Sequence, residues 1–190
     1  MRAPLPPVVR DRPIVVVPGI DDSGPEHWQS RWQSAHPDAA RIAPRSFAAP
    51  ELDDWVRSIE DAVASRSAPP LVIAHSLGCL AALAWVERVR RPRIAALVLV
   101  AVPDPTTPSF PRAAAPTFTR VPLPPLGPAI VIASSNDPFG SLDHATRVAR
   151  ATGARLEVVG ALGHINASSG LGDWTEGLAL VEAALSPRIG

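Results

Sequence analysis

The run Leu71-Val72-Ile73-Ala74-His75-Ser76-Leu77-Gly78-Cys79 constrains this chain more than any other. Its first four positions are all apolar, the pattern of a short strand buried on both faces. Over residues 77–89, Leu80, Ala81, Leu83, Ala84, Trp85 and Val86 spread around most of a helical circumference, so the helix that follows is buried as well. A buried strand that passes into a buried helix through a serine is the setting of a nucleophile elbow. The sharp turn strains the backbone at the serine, lifts its hydroxyl above the sheet, and brings the positions two before and two after so close that only small residues fit. Ala74 and Gly78 meet that demand, with Ala74 standing where Gly-x-Ser-x-Gly has its first glycine. The competing interpretation is an ordinary strand–helix turn with an incidental serine. What separates the two is whether a base and an acid stand at the same edge of the sheet.

The rest of the chain alternates short Val/Ile/Leu-rich runs with helical periodicities, the signature of an α/β fold whose mostly parallel sheet is covered on both faces. Six strands are predicted, over 14–17, 41–43, 71–74, 94–102, 129–134 and 155–159. Between the first two lies a helix over 25–35, where Trp28 and Trp32 stand four apart and Ser23 precedes Glu26 with capping-box spacing. A second helix over 51–64 carries Leu52, Trp55, Val56, Ile59 and Val63 on one stripe. Helices over 142–152, closed by Gly153, and over 174–185, opened by Asp173, complete the cover. Residues 103–128 hold nine prolines in 26 positions and cannot form a regular helix, so they make a long loop beside the sheet's C-terminal edge. With no repeat and no linker between halves, residues 1–190 are expected to form one domain, with 1–12 as an extended N-terminal arm.

Charge and composition narrow the function. Eighteen arginines balance 18 acidic residues, there is no lysine, and only Arg88, Arg90, Arg91 and Arg93 cluster, at the solvated end of a helix. A nucleic-acid-binding polycation does not fit, nor does intrinsic disorder at 46% hydrophobic residues. The lone Cys79 excludes an intramolecular disulfide, and neither Cys-x-x-Cys nor zinc-protease spacing is present, so no metal is expected. No glycine-rich nucleotide loop occurs, and no cofactor is expected. Residues 1–10 hold no apolar core of a secretory signal, and the apolar run at 95–102 is too short to span a bilayer, so the expected location is cytoplasmic, away from any membrane.

A serine hydroxyl needs a base, and the base needs a carboxylate to orient it. After the fifth strand, Ser134-Ser135-Asn136-Asp137-Pro138-Phe139 puts Asp137 in a turn; after the sixth, Gly163-His164-Ile165-Asn166 puts His164 in a glycine-flanked loop. Both lie at the edge that carries Ser76, in the chain order nucleophile, acid, base. Asp104, after the fourth strand, competes for the role of acid. Among the other histidines, His75 should point away from the hydroxyl of its neighbour, His144 lies in a helix, and His36 ends one. His27, near the loop after the first strand, is either a substrate contact or a structural hydrogen-bond partner. One oxyanion donor of an elbow is the backbone N–H that follows the nucleophile, here Leu77, at a helix N-terminus whose dipole favours negative charge. The second should come from the loop after the first strand; Ile20 is chosen, with Gly19 to Asp22 all geometrically open. Cys79 and the five tryptophans read as packing residues.

Taken together, Val17-Pro18-Gly19 followed by His27-Trp28 and Trp32, then Ala74-His75-Ser76-Leu77-Gly78-Cys79, Ser134-Ser135-Asn136-Asp137-Pro138, and Gly163-His164-Ile165-Asn166 running to Ser169-Gly170-Leu171-Gly172-Asp173-Trp174, resemble the RBBP9/YdeN family of compact serine hydrolases, within the α/β-hydrolase superfamily. The pieces span nearly the whole chain. The resemblance implies a three-layer α/β-hydrolase fold with a six-stranded core and no large cap domain, the triad Ser76, Asp137 and His164, and a carboxylesterase-like activity. It further implies that the 103–128 loop, with Phe110 and Phe118, borders a pocket for a small apolar acyl or alcohol group. The expected reaction is hydrolysis of a small carboxylic ester through an acyl-enzyme. The alternative from another class is a protein-interaction module on a hydrolase fold, since some relatives are discussed as protein-binding factors.

Overall fold

The computed structural model describes residues 5–185. Six strands, β1 (Ile14–Val17), β2 (Ala39–Arg41), β3 (Leu71–His75), β4 (Ala96–Val100), β5 (Ala129–Ala133) and β6 (Arg155–Val158), form one sheet in the order β2-β1-β3-β4-β5-β6. Every neighbouring pair is parallel. The chain therefore starts inside the sheet, steps outward to β2, crosses back over β1 to β3, and then moves outward in the other direction. The reversal leaves a crevice between β1 and β3 at the strands' C-terminal ends, where parallel sheets bind their ligands. In register, Val17 lies opposite Ala74, Ala74 opposite Leu99 and Val100 opposite Ile132, so the loops after β1, β3, β4 and β5 leave the sheet at one level.

Among the described residues, six helices cover the sheet: α1 (Pro7–Arg10), α2 (Trp28–Ala35), α3 (Leu52–Ala64), α4 (Leu77–Val89), α5 (Leu142–Thr152) and α6 (Thr175–Leu185). The two-residue period of the strands sorts the core into two layers. Val15, Val17, Val72, Leu97, Leu99 and Val131 face α3, α4 and α5, where Trp55, Ile59, Leu80, Leu83 and Val148 meet them. Ile14, Val16, Ile73, Val98, Ile130 and Ile132 face the opposite way, onto Val9, Trp28, Trp32, Trp174, Leu178 and Val181. Each such side chain removed from water contributes about 1.5–3 kcal/mol, which is why β1, β3 and β4 carry no polar residue before their last position.

The six predicted strands are present, with shifted ends. The second lies at Ala39–Arg41, two residues early, and the fourth stops at Val100 because Ala101 takes a left-handed φ of 54°. Helix α2 begins at Trp28, not at 25: His27 caps it by accepting the Gln29 N–H, while Ser23 donates its hydroxyl to the Gln29 side chain. The expected extended arm over 1–12 is corrected for its described part. Pro7 opens the short helix α1, Val9 is fully buried in the second layer, and the Val8 N–H donates to Glu182 on α6. Proline at the first helical position presets φ for this turn, and an apolar side chain on it finds the groove beside α6. Residues 1–4 lie outside the described residues. The 103–128 loop is irregular as expected, apart from one 3-10 turn at Pro116–Phe118.

Candidate active site

Strand β3 reaches the corner still hydrogen-bonded to the sheet, with the Ser76 N–H donating to the Val100 carbonyl at 3.0 Å. The backbone of Ser76 then takes φ 53° and ψ −126°, and α4 begins at the next residue. A non-glycine residue held there stores about 1–3 kcal/mol of strain, which the buried strand and helix on either side hold in place. Of the small residues predicted around the corner, Gly78 is needed, and Gly19 in the loop after β1 also stands close. A Cβ on Gly78 would stand 2.3 Å from the Pro18 carbonyl oxygen and 2.5 Å from that of Val17, and one on Gly19 would stand 3.0 Å from the Ser76 Cβ.

Ser76, His164 and Asp137 come together as the sequence predicts. The Ser76 hydroxyl donates to His164 Nε2 at 2.7 Å, and His164 Nδ1–H donates to both Asp137 carboxylate oxygens, at 2.9 and 3.0 Å. Because the carboxylate can only accept, the imidazole proton sits on Nδ1 and the Nε2 lone pair faces Ser76. The Asp137 side chain is 2% exposed and that of His164 11%, so the pair is held away from bulk water. Phe139 covers the imidazole edge-on, with ring centroids 4.7 Å apart. A hydroxyl, an imidazole and a carboxylate in this series can move the serine proton to His164 while the carboxylate stabilises the imidazolium that forms.

The predicted block that carries the acid also builds the loop that carries the base. Asn136 accepts the Gly163 N–H at 2.7 Å and the Ser134 hydroxyl at 2.9 Å, and Ser134 Oγ accepts the Leu162 N–H at 2.9 Å. Asn136 was not singled out by the sequence reading, although it stands inside the quoted motif. Asp104, the competing acid, is committed elsewhere. It accepts the Thr106 N–H and hydroxyl and the Arg147 guanidinium at 3.2 Å, and His144 Nδ1 lies 3.2 Å from its carboxylate. Burial pushes its carboxyl up, but the Thr106 hydrogen bonds and the neighbouring His144 and Arg147 bring it below the usual range.

The residues expected to supply the oxyanion donors, Leu77 and Ile20, line one cavity with Ser76. The Leu77 N–H opens α4, where the first-turn amides have no intrahelical partner. In the loop after β1, the Asp21 N–H donates to Phe47 O at 3.0 Å and the Asp22 N–H to Gly19 O at 3.2 Å. Of the four open choices, this leaves the amides of Gly19 and Ile20.

Ser76 and His164 border a cavity of about 380 Å³ whose wall includes Ile20, Leu77, His27 and Phe110. Phe118 does not reach it, which corrects its expected place. Its ring is fully buried against Trp55, edge-on at 5.6 Å, because the 3-10 turn at 116–118 points it down onto the layer under α3 and α4. His27 serves as the α2 cap through Nδ1, and its buried Nε2 meets no protein partner among the described residues. Burial first, then the nearby Arg41 and His164, lower its pKa to about 4, so the ring is neutral. Cys79 donates its thiol to Val100 O at 3.3 Å, and burial raises its pKa far enough to keep it inert. Among the described residues no three His, Cys, Asp or Glu side chains are placed to hold a metal ion, and no helix is long and apolar enough to cross a membrane.

The chain as a whole has counterparts among known proteins. The model of a family described as serine hydrolase matches residues 14–183. No curated protein matches the chain. Among solved structures, a YdeN-like hydrolase from Pectobacterium atrosepticum is 35% identical, with a TM-score of 0.80 over 95% of this chain and 96% of that one. The ydeN gene product of B. subtilis, at 20% identity, gives a TM-score of 0.69 over 93% of this chain and 100% of its own. The RedJ thioesterase from the prodiginine biosynthetic pathway in Streptomyces coelicolor shares the fold at 15% identity and a TM-score of 0.58, over 96% and 93% of the two chains. Matched by that family model over most of its length, and folded as an α/β-hydrolase like these relatives, the chain belongs to the serine hydrolase family, among its YdeN-like members.

Proposed function

We propose that this hydrolase cleaves a small carboxylic ester through an acyl-enzyme on Ser76. The observation that carries the reading is the hydrogen-bonded series from Ser76 Oγ through His164 to Asp137, built around a strained serine. Ser76 Oγ attacks the acyl carbon as its proton passes to His164 Nε2, and Asp137 holds the imidazolium. The carbonyl oxygen becomes an oxyanion that accepts from the Leu77 N–H and from an amide of the β1 loop, Ile20 in this reading. His164 gives its proton to the leaving alkoxide, which departs as the alcohol. Water then repeats the sequence: His164 takes its proton, the hydroxide oxygen bonds to the acyl carbon, and the released Ser76 oxygen recovers the proton from His164. Ile20, Leu77 and Phe110 supply an apolar wall in a cavity of about 380 Å³, which suits a small acyl group. Thioesters meet the same machinery, and the RedJ relative is named a thioesterase.

The test is a fluorophosphonate probe read by intact mass. One adduct per chain is expected on the wild-type protein and none on Ser76→Ala or His164→Ala at the same exposure. A folded wild-type protein that takes no adduct would sink the acyl-enzyme reading and favour an interaction module on this fold. Turnover of matched p-nitrophenyl esters and acyl thioesters then identifies the leaving group.

A further inference from the structure

His75 precedes Ser76 directly, and its ring reaches the loop that carries His164. Its Nε2–H donates to the backbone carbonyl of His164 at 2.9 Å, and its ring lies 5.0 Å from the His164 ring and 4.8 Å from that of His27. The residue is 4% exposed. Burial, with the neighbouring His164 and His27, drives its pKa well below the ordinary value, so the ring holds one proton. The carbonyl it meets can only accept, which puts that proton on Nε2.

The loop that receives this hydrogen bond belongs to no helix or strand. Gly163 and Ile165, on either side of the base, have left-handed φ values of 59° and 48°. Its amides are held from the β5 side by Ser134 and Asn136. Its carbonyls at 164 and 165 are held from the other side by two ring N–H donors: His75, and Trp28 Nε1 at 2.8 Å from Ile165 O. Of the two donors, only His75 is joined by a single peptide bond to the nucleophile.

We propose that His75 is a positioning residue: by donating Nε2–H to the His164 carbonyl, it ties the backbone of the base to that of the nucleophile and sets the separation of His164 Nε2 from Ser76 Oγ. This role rests on the proposed assignment of Ser76 as nucleophile and His164 as base. An imidazole suits it because the donor sits at the end of a stiff side chain with two torsions, long enough to span the gap and neutral in the dry interior. Without the donor, the carbonyl of the base loses its partner, and the loop must shift to find another.

The comparison is between His75→Gln, whose amide nitrogen reaches close to the Nε2 position, and His75→Met, of similar length with no donor. The readouts are the maximal rate of fluorophosphonate labelling and the probe concentration at half that rate, with circular dichroism to verify folding. His75→Met should lower the maximal rate on the order of 10- to 100-fold and leave the half-saturating concentration unchanged, as for a reacting pair displaced by a fraction of an ångström. His75→Gln should recover most of the loss. Equal rates for Gln and Met overturn the proposal, and so does a change confined to the half-saturating concentration, which would make His75 a binding contact. If the Met variant does not fold, His75→Asn, polar but too short to reach the carbonyl, is compared with Gln in its place. A wild-type protein that takes no label refutes the nucleophile and base assignment and the positioning role with it; a labelled wild type with indistinguishable Gln and Met variants refutes the positioning role alone.

Discussion

Two residues beside the cavity show how burial sets chemistry one side chain at a time. Ser76 is held at a φ of 53°, a conformation it keeps because β3 and α4 are both buried and neither can yield. His27 is neutral for the same kind of reason: its pKa falls to about 4 from 6.5 chiefly because burial disfavours the imidazolium. Between those two values the unfolded chain binds a proton at His27 and the folded chain does not, so stability must fall as pH drops from about 6.5 to about 4. Full passage through the window is worth about 3 kcal/mol. His75, whose pKa burial also lowers well below the ordinary value, adds to the loss in the same direction. His27→Asn keeps an acceptor for the Gln29 N–H and cannot titrate. Urea denaturation at stepped pH should show the variant close to wild type above pH 7 and losing less stability below pH 6; equal slopes would refute the assignment. The meeting of Ser76, Asp137 and His164 was readable from the sequence because each sits in a local motif. The separation of Asp104 from the site was not, since its ties to His144 and Arg147 form only after α5 packs beside the loop after β4.

Among the elements, the strand–turn–helix unit of β3 and α4 is the most tightly specified. Gly78 lies on α4 where that helix passes over the end of β1, and the atoms nearest an added Cβ are backbone oxygens of Val17 and Pro18, which a small rotamer change cannot move. Gly78→Ala should cost about 1–3 kcal/mol as an overpacked contact and slow probe labelling by displacing Ser76. Gly24→Ala, with nothing within 4 Å of the new Cβ, should stay within about 0.5 kcal/mol of wild type. Urea midpoints of the two variants make the comparison; equal losses would show that the close approach is not what holds the corner. The start of α2 was misread because Ser23-x-x-Glu26 is a purely local pattern. In the fold, Gln29 turns inward to donate to Val17 O at 3.3 Å and Ile73 O at 3.0 Å, and it draws Ser23 with it, leaving the cap to His27. Phe118 was misplaced for a similar reason. Nothing in a proline-rich loop says which of its two aromatics turns toward the cavity and which toward the core.

For the molecule as a whole, both layers share one sheet, and each strand contributes side chains to the two alternately. Trp28, Trp32 and Trp174 report on one layer, Trp55 and Trp85 on the other. Loss of either layer bares strand residues that the other layer needs in register, so the two should melt together. With Trp55 and Trp85 replaced by Phe, or alternatively Trp28, Trp32 and Trp174, the remaining fluorescence should give the same urea midpoint as far-ultraviolet circular dichroism of that variant. Separate midpoints in either variant would mean that one layer unfolds alone. The sequence by itself determined the α/β class, the six strands, the elbow, and the three side chains that meet at the sheet edge, because apolar periodicity and turn chemistry are properties of short stretches of chain. Only the tertiary structure decided the order of the strands, which amides of the β1 loop remain open, and the reach of His75 to the carbonyl of His164. Those depend on contacts between residues as far apart as 75 and 164, which burial brings together and no local pattern encodes.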